Sequence, residues 1–325
     1  YCMEAVPTLL RLGENIEHET RDSRTALIAA ALSGVTDRVA LCLRNGAKAN
    51  QETRTGATAM SAVIKKLGMP IQMATEQSYQ DDINGENVLK FLLTNAIDKA
   101  NVNHENKNGV TLSMFAARAF SNNPRVLALL LDHGADKNVE SSKGSTLLLD
   151  ALQFGCDDAV DLLIVEGVDV NYETRKNTTE VLTPLILAAK RGSVFQIEQL
   201  LAAGADINYE TKAGETALMA AVSASRADHV SALMSIGNAD ANYEVKHGKT
   251  KGDTAIVLAG RLGHKDVIQR LISSHNVDPS RGLSDKTTPL IRAVVDEDAD
   301  AVKHMLLAGV PINVESAEGY TPLVE

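Results

Sequence analysis

A threonine followed by Ala, Pro or an aliphatic residue, and then by a run of small apolar side chains, recurs along the whole chain. It reads Thr25-Ala-Leu-Ile-Ala-Ala, Thr58-Ala-Met-Ser-Ala-Val, Thr111-Leu-Ser-Met-Phe-Ala-Ala and Thr146-Leu-Leu-Leu-Asp-Ala. It continues as Thr183-Pro-Leu-Ile-Leu-Ala-Ala, Thr216-Ala-Leu-Met-Ala-Ala, Thr254-Ala-Ile-Val-Leu-Ala, Thr288-Pro-Leu-Ile-Arg-Ala-Val and Thr321-Pro-Leu. Successive threonines are 33, 53, 35, 37, 33, 38, 34 and 33 residues apart. A base period of 33 with insertions favours one elongated array, in which each unit packs only on its neighbours, over two or three independent globules.

A second motif follows the first within most units. Examples are Leu129-Leu-Leu-Asp-His-Gly-Ala-Asp-Lys-Asn, Leu162-Leu-Ile-Val-Glu-Gly-Val-Asp-Val-Asn and Leu200-Leu-Ala-Ala-Gly-Ala-Asp-Ile-Asn, with weaker copies at Leu306 and Leu9. One unit shows the physical sense of both. Thr183 is placed to cap a helix whose first position is Pro184. Leu185, Ala188 and Ala189 share one face of that helix, and Gly192 is expected to end it as a left-handed residue. A second helix carries Ile197, Leu200 and Leu201 on one face and closes at Gly204. The following Ala205-Asp-Ile-Asn-Tyr-Glu-Thr segment is extended and turns at Gly214 into the next copy. Helices this short are unstable alone, so their apolar stripes must be covered by adjacent repeats. Composition agrees. Hydrophobic residues make up 44% but aromatics only 3%, with no Trp, so the core must be built from Ala, Leu, Ile and Val, which suits short packed helices.

These units resemble ankyrin repeats, whose pattern includes T-P-L-H-x-A near the start and G-A-D-x-N near the end. The family's histidine position is occupied here by Ile28, Ser61, Ser113, Leu149, Ile186, Met219, Val257 and Ile291, so packing is expected to replace a polar tie there. The resemblance implies an all-α solenoid of stacked helix-turn-helix units with β-hairpin fingers, with partners docking on the fingers and the concave helix surface. The expected repeats are a partial copy at 1–20, copies at 21–53, 54–106, 107–141, 142–178, 179–211, 212–249, 250–283 and 284–316, and a truncated copy at 317–325. The 54–106 copy carries a long insertion between its helices, around residues 68–90, in which Met69, Ile71, Met73 and Tyr79 are available for docking. The chain opens on Tyr1 and stops at Glu325 inside a repeat, so it reads as an excerpt of a longer polypeptide.

Charge narrows the partners. There are 42 acidic and 32 basic residues, a formal charge of −10. Nucleic-acid binding depends on phosphate neutralisation and is disfavoured; a protein partner with a basic segment fits better. Cys2, Cys42 and Cys156 are too few and too far apart for a disulfide framework, which places the chain in a reducing, cytoplasmic setting. No apolar run approaches the ~18 residues of a membrane span. A single stacked chain buries its own core, so the array is expected to be monomeric.

Two features single out candidate binding residues. Glu19, Glu52, Glu105, Glu140, Glu173, Glu210, Glu244 and Glu315 recur at one finger position. A cation follows two places on at Arg21, Arg54, Lys107, Arg175, Lys212 and Lys246, with Lys143 three places on. Residues two apart share a face in an extended segment, which aligns a row of carboxylates with a row of cations. Tyr172, Tyr209 and Tyr243, half of the six tyrosines, form a column beside them. The candidate partner-binding set is therefore Tyr172, Glu173, Arg175, Tyr209, Glu210, Lys212, Tyr243, Glu244 and Lys246. Two readings stay open: the rows satisfy one another across neighbouring fingers, or a basic or charge-patterned partner lies along them and the tyrosines anchor it.

No catalytic constellation, cofactor motif or metal-ligand spacing emerges. Gly248-Lys249-Thr250 has the end of a phosphate-binding loop, but Tyr243 stands where that loop needs glycine. The acidic clusters Asp157-Asp158 and Asp296–Asp300 fall at expected helix N-termini, where negative charge opposes the helix dipole. The function expected is that of a non-catalytic interaction scaffold. The alternative is the targeting or regulatory region of a longer enzyme, ubiquitin-ligase adaptor or channel.

Overall fold

The computed structural model describes residues 5–67, 76–95, 102–119, 124–174, 182–248, 251–274 and 282–324. Two compact units are formed, Tyr1–Val168 and Asp169–Glu325. The described residues contain only helices, turns and extended connections, with no strand among them.

The first unit opens with α1 (Ala5–Arg11), followed by four helical hairpins. These are α2 (Ala26–Leu32) with α3 (Thr36–Arg44), α4 (Ala59–Leu67) with α5 (Glu76–Asn95), α6 (Leu112–Ala119) with α7 (Arg125–Asp132), and α8 (Leu147–Gln153) with α9 (Asp157–Val165). First helices stack on first helices: α2 on α4, α4 on α6, α6 on α8. The second unit repeats the scheme with α10 (Pro184–Arg191) and α11 (Val194–Ala202), α12 (Ala217–Ser223) and α13 (Ala227–Ser235), α14 (Ala255–Leu262) and α15 (Lys265–Ser273), and α16 (Pro289–Val295) and α17 (Ala299–Ala308). Here α10, α12, α14 and α16 form an inner row, while α11, α13, α15 and α17 form an outer one.

Helices of seven to ten residues hold because each buries an apolar face, although Val165, Phe195 and Leu307 stay exposed on the other side. Leu185, Ile186, Leu187, Ala188 and Ala189 on α10 and Ile197 and Leu200 on α11 are all buried. Each buried Leu or Ile contributes about 1.5–3 kcal/mol, which offsets the cost of starting so many short helices. The threonines serve as caps. The Thr25, Thr146, Thr183, Thr216 and Thr288 hydroxyls accept the backbone N–H of Ile28, Leu149, Ile186, Met219 and Ile291. At Thr111 the donor is Met114 at 3.2 Å, so Met114, not Ser113, stands at the family's histidine position. Ser61 does what an aliphatic residue cannot: its Oγ accepts the Thr58 N–H at 2.8 Å, while Thr58 Oγ1 accepts the Ser61 N–H at 3.2 Å. Thr254 alone among these makes no cap bond, and its buried hydroxyl has no partner among the described residues.

Two expectations change. Gly192 is extended, with φ −79° and ψ −154°, rather than left-handed. Its role is close approach: a Cβ would lie 2.8 Å from the Ala188 Cα and 2.5 Å from Gln196 Oε1. That proximity lets Ser193 begin α11 at once, through a capping box with Gln196. The insertion in the second hairpin is in part the helix itself, since α5 runs 20 residues from Glu76. Met69, Ile71 and Met73 lie outside the described residues, and Tyr79 lies in α5. The acidic clusters fall where the dipole argument put them except at Asp296, which caps the C-terminus of α16 and pairs with Arg261 and Arg292. α9 begins at Asp157, and the Asp298 side chain caps α17 by accepting the Ala301 N–H at 2.9 Å.

Candidate functional site

The fingers are turns. In one, the Thr53 N–H donates to the Ala57 carbonyl at 2.9 Å, and the Gly56 N–H to the Thr53 carbonyl at 2.9 Å. The Ala57 N–H then donates to Thr53 Oγ1 at 3.1 Å. Thr211 closes the finger ending at Glu215 the same way, and Thr174 closes the one ending at Leu182. One backbone pair and one hydroxyl bond replace the ladder that a β-hairpin would need, so no strand develops among the described residues.

Three side chains then order the fingers, the first within its own finger and the other two from one finger to the next. The aspartate of the Asp-x-Asn motif accepts the N–H two residues on, as Asp206 does from Asn208 at 3.0 Å. The asparagine clamps the next repeat: Asn171 donates to the Gly204 carbonyl at 3.2 Å and accepts the Asp206 N–H at 2.7 Å. In the first unit Asn103 holds Gly134 and Asp136 identically, at 3.0 and 2.7 Å. The recurring glutamate is the third tie. Glu19 accepts the Arg54 N–H at 2.9 Å, Glu52 the Lys107 N–H at 3.2 Å, and Glu105 the Ser142 N–H at 2.9 Å.

The carboxylate row and the cation row therefore meet at Glu19, Glu52 and Glu210, chiefly through the backbone of the cationic residue, while Glu105 and Glu244 accept a serine N–H. The cationic side chain adds to this where it can. Arg54 Nε bonds Glu19 at 3.1 Å and Arg54 Nη2 the Thr20 carbonyl at 3.1 Å, while Lys107 Nζ reaches the Thr53 carbonyl. Burial acts to raise the Glu19 carboxyl, but the Arg54 N–H and guanidinium, with Ser23, outweigh it and hold the group below its ordinary value.

In the second unit the tyrosine column joins this arrangement. Tyr209 Oη donates to Glu173 Oε2 at 2.6 Å, and Tyr243 Oη donates to Glu210 Oε2 at 2.7 Å. Glu210 also accepts the Lys246 N–H at 3.0 Å, the His247 N–H at 2.8 Å and a contact with His247 Nδ1 at 3.0 Å. Its side chain is 6% exposed. Burial raises its carboxyl, yet the four donors outweigh that and leave it lowered. Tyr243 is pushed up to about 12 by burial and by the bond to, and charge of, Glu210. Glu244 accepts the Ser284 N–H at 2.8 Å. The two fingers approach backbone to backbone, so a Cβ on Gly214 would lie 2.1 Å from the His247 carbonyl oxygen.

Of the nine candidate residues, Tyr172, Glu173, Tyr209, Glu210, Tyr243 and Glu244 are half-buried, Lys212 and Lys246 are exposed, and Arg175 lies outside the described residues. Lys246 Nζ stands 5.2 Å from the centroid of the Tyr243 ring, a cation–π geometry. The sequence pattern brought out these positions but not the Asn clamps or the finger-closing Thr. Both left a signal: Asn stands two places after Asp136, Asp169, Asp206 and Asp240, and Thr, Ser or Asn directly follows every recurring Glu except Glu244, which Val245 follows.

Sequence comparison matches the ankyrin-repeat family model to residues 79–174 and 171–246, a span of more than half of the 325-residue chain. The chain belongs to the ankyrin-repeat family. Ankyrin repeats generally mediate protein–protein interaction, and domains built from them are typically non-catalytic. An 87-residue stretch, 25% of this chain, is 26% identical to alpha-latrocrustotoxin-Lt1a of Latrodectus tredecimguttatus and covers 6% of that protein. A 108-residue stretch, 33% of this chain, is 27% identical to alpha-latroinsectotoxin-Lt1a of the same organism and covers 7% of it. The matched part of the chain thus spans only a small fraction of the length of these curated relatives. Among the described residues of the ankyrin chain no helix is long and apolar enough to cross a membrane, and no group of three or more His, Cys, Asp or Glu could hold a metal ion.

Proposed function

We propose that this chain is a non-catalytic interaction scaffold, one continuous ankyrin array, monomeric, whose partner docks along the finger edge of Asp169–Glu325. The observation that supports this most is the finger-to-finger latch. The Tyr209 and Tyr243 hydroxyls are held at 2.6 and 2.7 Å by the glutamate of the preceding finger, which fixes their rings in a row at no further entropic cost. Rigid tyrosines carry large contact area and recur in interface hot spots. Lys212 and Lys246 are exposed cations of the same edge. Glu173, Glu210 and Glu244 set the spacing, and because Glu210 is almost covered its charge acts on a partner through the field of the edge rather than by contact. The net acidic balance of the chain supports a partner with a basic segment. A reducing, cytoplasmic compartment is proposed on the buried thiols Cys42 and Cys156.

The test is crosslinking mass spectrometry on the native full-length protein with an amine-reactive reagent. Partner crosslinks at Lys212 and Lys246 support the reading. Crosslinks confined to outer-row lysines such as Lys265 and Lys303 overturn it. A second reading, that the array is the targeting or regulatory region of a longer multidomain protein, is favoured by the small share of its relatives that it spans. The mass of the full-length product separates the two.

A further inference from the structure

The first helices of the repeats carry a cation seven residues after the capping threonine in four copies: Lys65, Arg118, Lys190 and Arg261. Three of the four are neutralised within the chain. Lys190 lies 3.4 Å from Glu215, the residue just before the next threonine. Arg118 meets buried Asp150 at 2.8 Å, and Arg261 meets buried Asp253 at 2.5 Å. Lys65 makes no ion pair among the described residues and is exposed. The position that would answer it, just before Thr111 as Glu215 is just before Thr216, is Val110.

Lys65 and Val110 both line a groove of about 590 Å³ between the second and third fingers and the inner helices. Arg24, Lys66, His104 and Arg118 line it as well, and no Asp or Glu does among the described residues. Three of these are partly engaged. Lys66 Nζ donates to the Leu32 carbonyl at 3.2 Å, His104 Nε2 is 2.7 Å from Glu52, and Arg118 holds Asp150. Arg24, exposed, makes no ion pair among the described residues. The floor is apolar, with Leu32, Leu112 and half-buried Phe115. A chain with a formal charge of −10 thus gathers cations over an apolar floor at one place.

We infer that this groove binds an extended acidic segment of a partner protein, with one carboxylate pairing with Lys65 where the chain's own carboxylate is missing and an apolar side chain resting on Phe115. The site is in the other unit and has the opposite charge preference from the finger edge of Asp169–Glu325, so it does not depend on that reading. Pairing over an apolar floor excludes water from one side of the contact and raises its value over that of a fully exposed pair. The long-range attraction of the cluster should speed association and fade with salt.

The experiment titrates the full chain with a fluorescein-labelled octapeptide of alternating Glu and Leu, followed by anisotropy at low salt. The same peptide with Gln for Glu is the control. Lys65→Glu is expected to weaken binding by about tenfold or more. Val110→Glu, which supplies the carboxylate that Glu215 gives Lys190, is expected to do the same while the helical circular dichroism is retained. Lys190→Glu should leave affinity unchanged. Equal affinity for the Gln peptide, no loss in Lys65→Glu, or no binding of the acidic peptide overturns the inference. So does a single-stranded oligonucleotide that binds more tightly and displaces the peptide, because that would make the groove a site for nucleic acid.

Discussion

Replacing Glu210 by Ala removes the acceptor for four donors at once: Tyr243 Oη, the Lys246 and His247 N–H groups and His247 Nδ1. A hydrogen bond to a charged group contributes about 1.5–3 kcal/mol when its donor has no alternative. Lys246 and His247 are exposed, so water takes over their donors and each retains about 0.5 kcal/mol of the loss. Tyr243 is half-buried, and losing its bond costs about 1 kcal/mol. The sum is about 2 kcal/mol for Glu210→Ala. Glu210→Gln, which keeps one acceptor oxygen, should lose about half of that. Tyr243→Phe should cost about 1 kcal/mol alone but little in the Glu210→Ala background, a coupling of about 1 kcal/mol. Repeat arrays can unfold in segments, so a global melt is a blunt measure. Amide hydrogen exchange at Lys246 and His247 reads the latch itself and should quicken by about thirtyfold in Glu210→Ala. The pH profile gives an independent check. Glu210 is lowered in the folded state, so its contribution is present above the ordinary carboxylate value of 4.5 and is lost as pH falls through the folded value. Tyr243 is raised to about 12, so its contribution is present below pH 10 and is lost as pH climbs from 10 to about 12. Tyr243→Phe should abolish that alkaline loss. Unchanged exchange at both amides together with zero coupling would refute the latch.

Three further outcomes are expected. Thr183→Ala should cost about 1 kcal/mol of stability in thermal or urea melts. Thr254→Ala should cost markedly less, because the Thr254 hydroxyl makes no cap bond; equal losses would contradict the cap geometry. Gly214→Ala places a Cβ 2.1 Å from the His247 carbonyl oxygen at a backbone φ of +82°, and a loss of at least about 2 kcal/mol should follow. A wild-type melt for that variant would mean that the fingers do not touch there. Asp150 is raised above its ordinary 3.8, chiefly by burial, against the Ser145 and Arg118 bonds. A raised carboxyl favours folding below its unfolded value, and that contribution is lost as pH rises through the folded one. Asp150→Asn should therefore flatten the stability profile just above pH 3.8, and a parallel profile would sink the assignment.

The sequence by itself determined the repeat, the helix pairs and most of their caps, because these are local. A threonine hydroxyl reaches only three residues forward, and an apolar stripe needs only the 3.6-residue helical period. It also aligned the glutamate, cation and tyrosine positions, since a fixed period places equivalent residues side by side. What it could not show is which atoms meet. Glu210 and the cation two places after Glu244 were in register on paper, but the bond goes to the Lys246 backbone N–H, leaving its ammonium over the Tyr243 ring. Gly192 looked like a left-handed stop and is extended, because the approach of Ala188 and Gln196, not φ, demands glycine there. Lys65 and Lys190 have the same sequence register, yet only Lys190 finds a carboxylate within reach. Such pairings depend on side-chain distances between neighbouring repeats, and only the stacked chain fixes those distances.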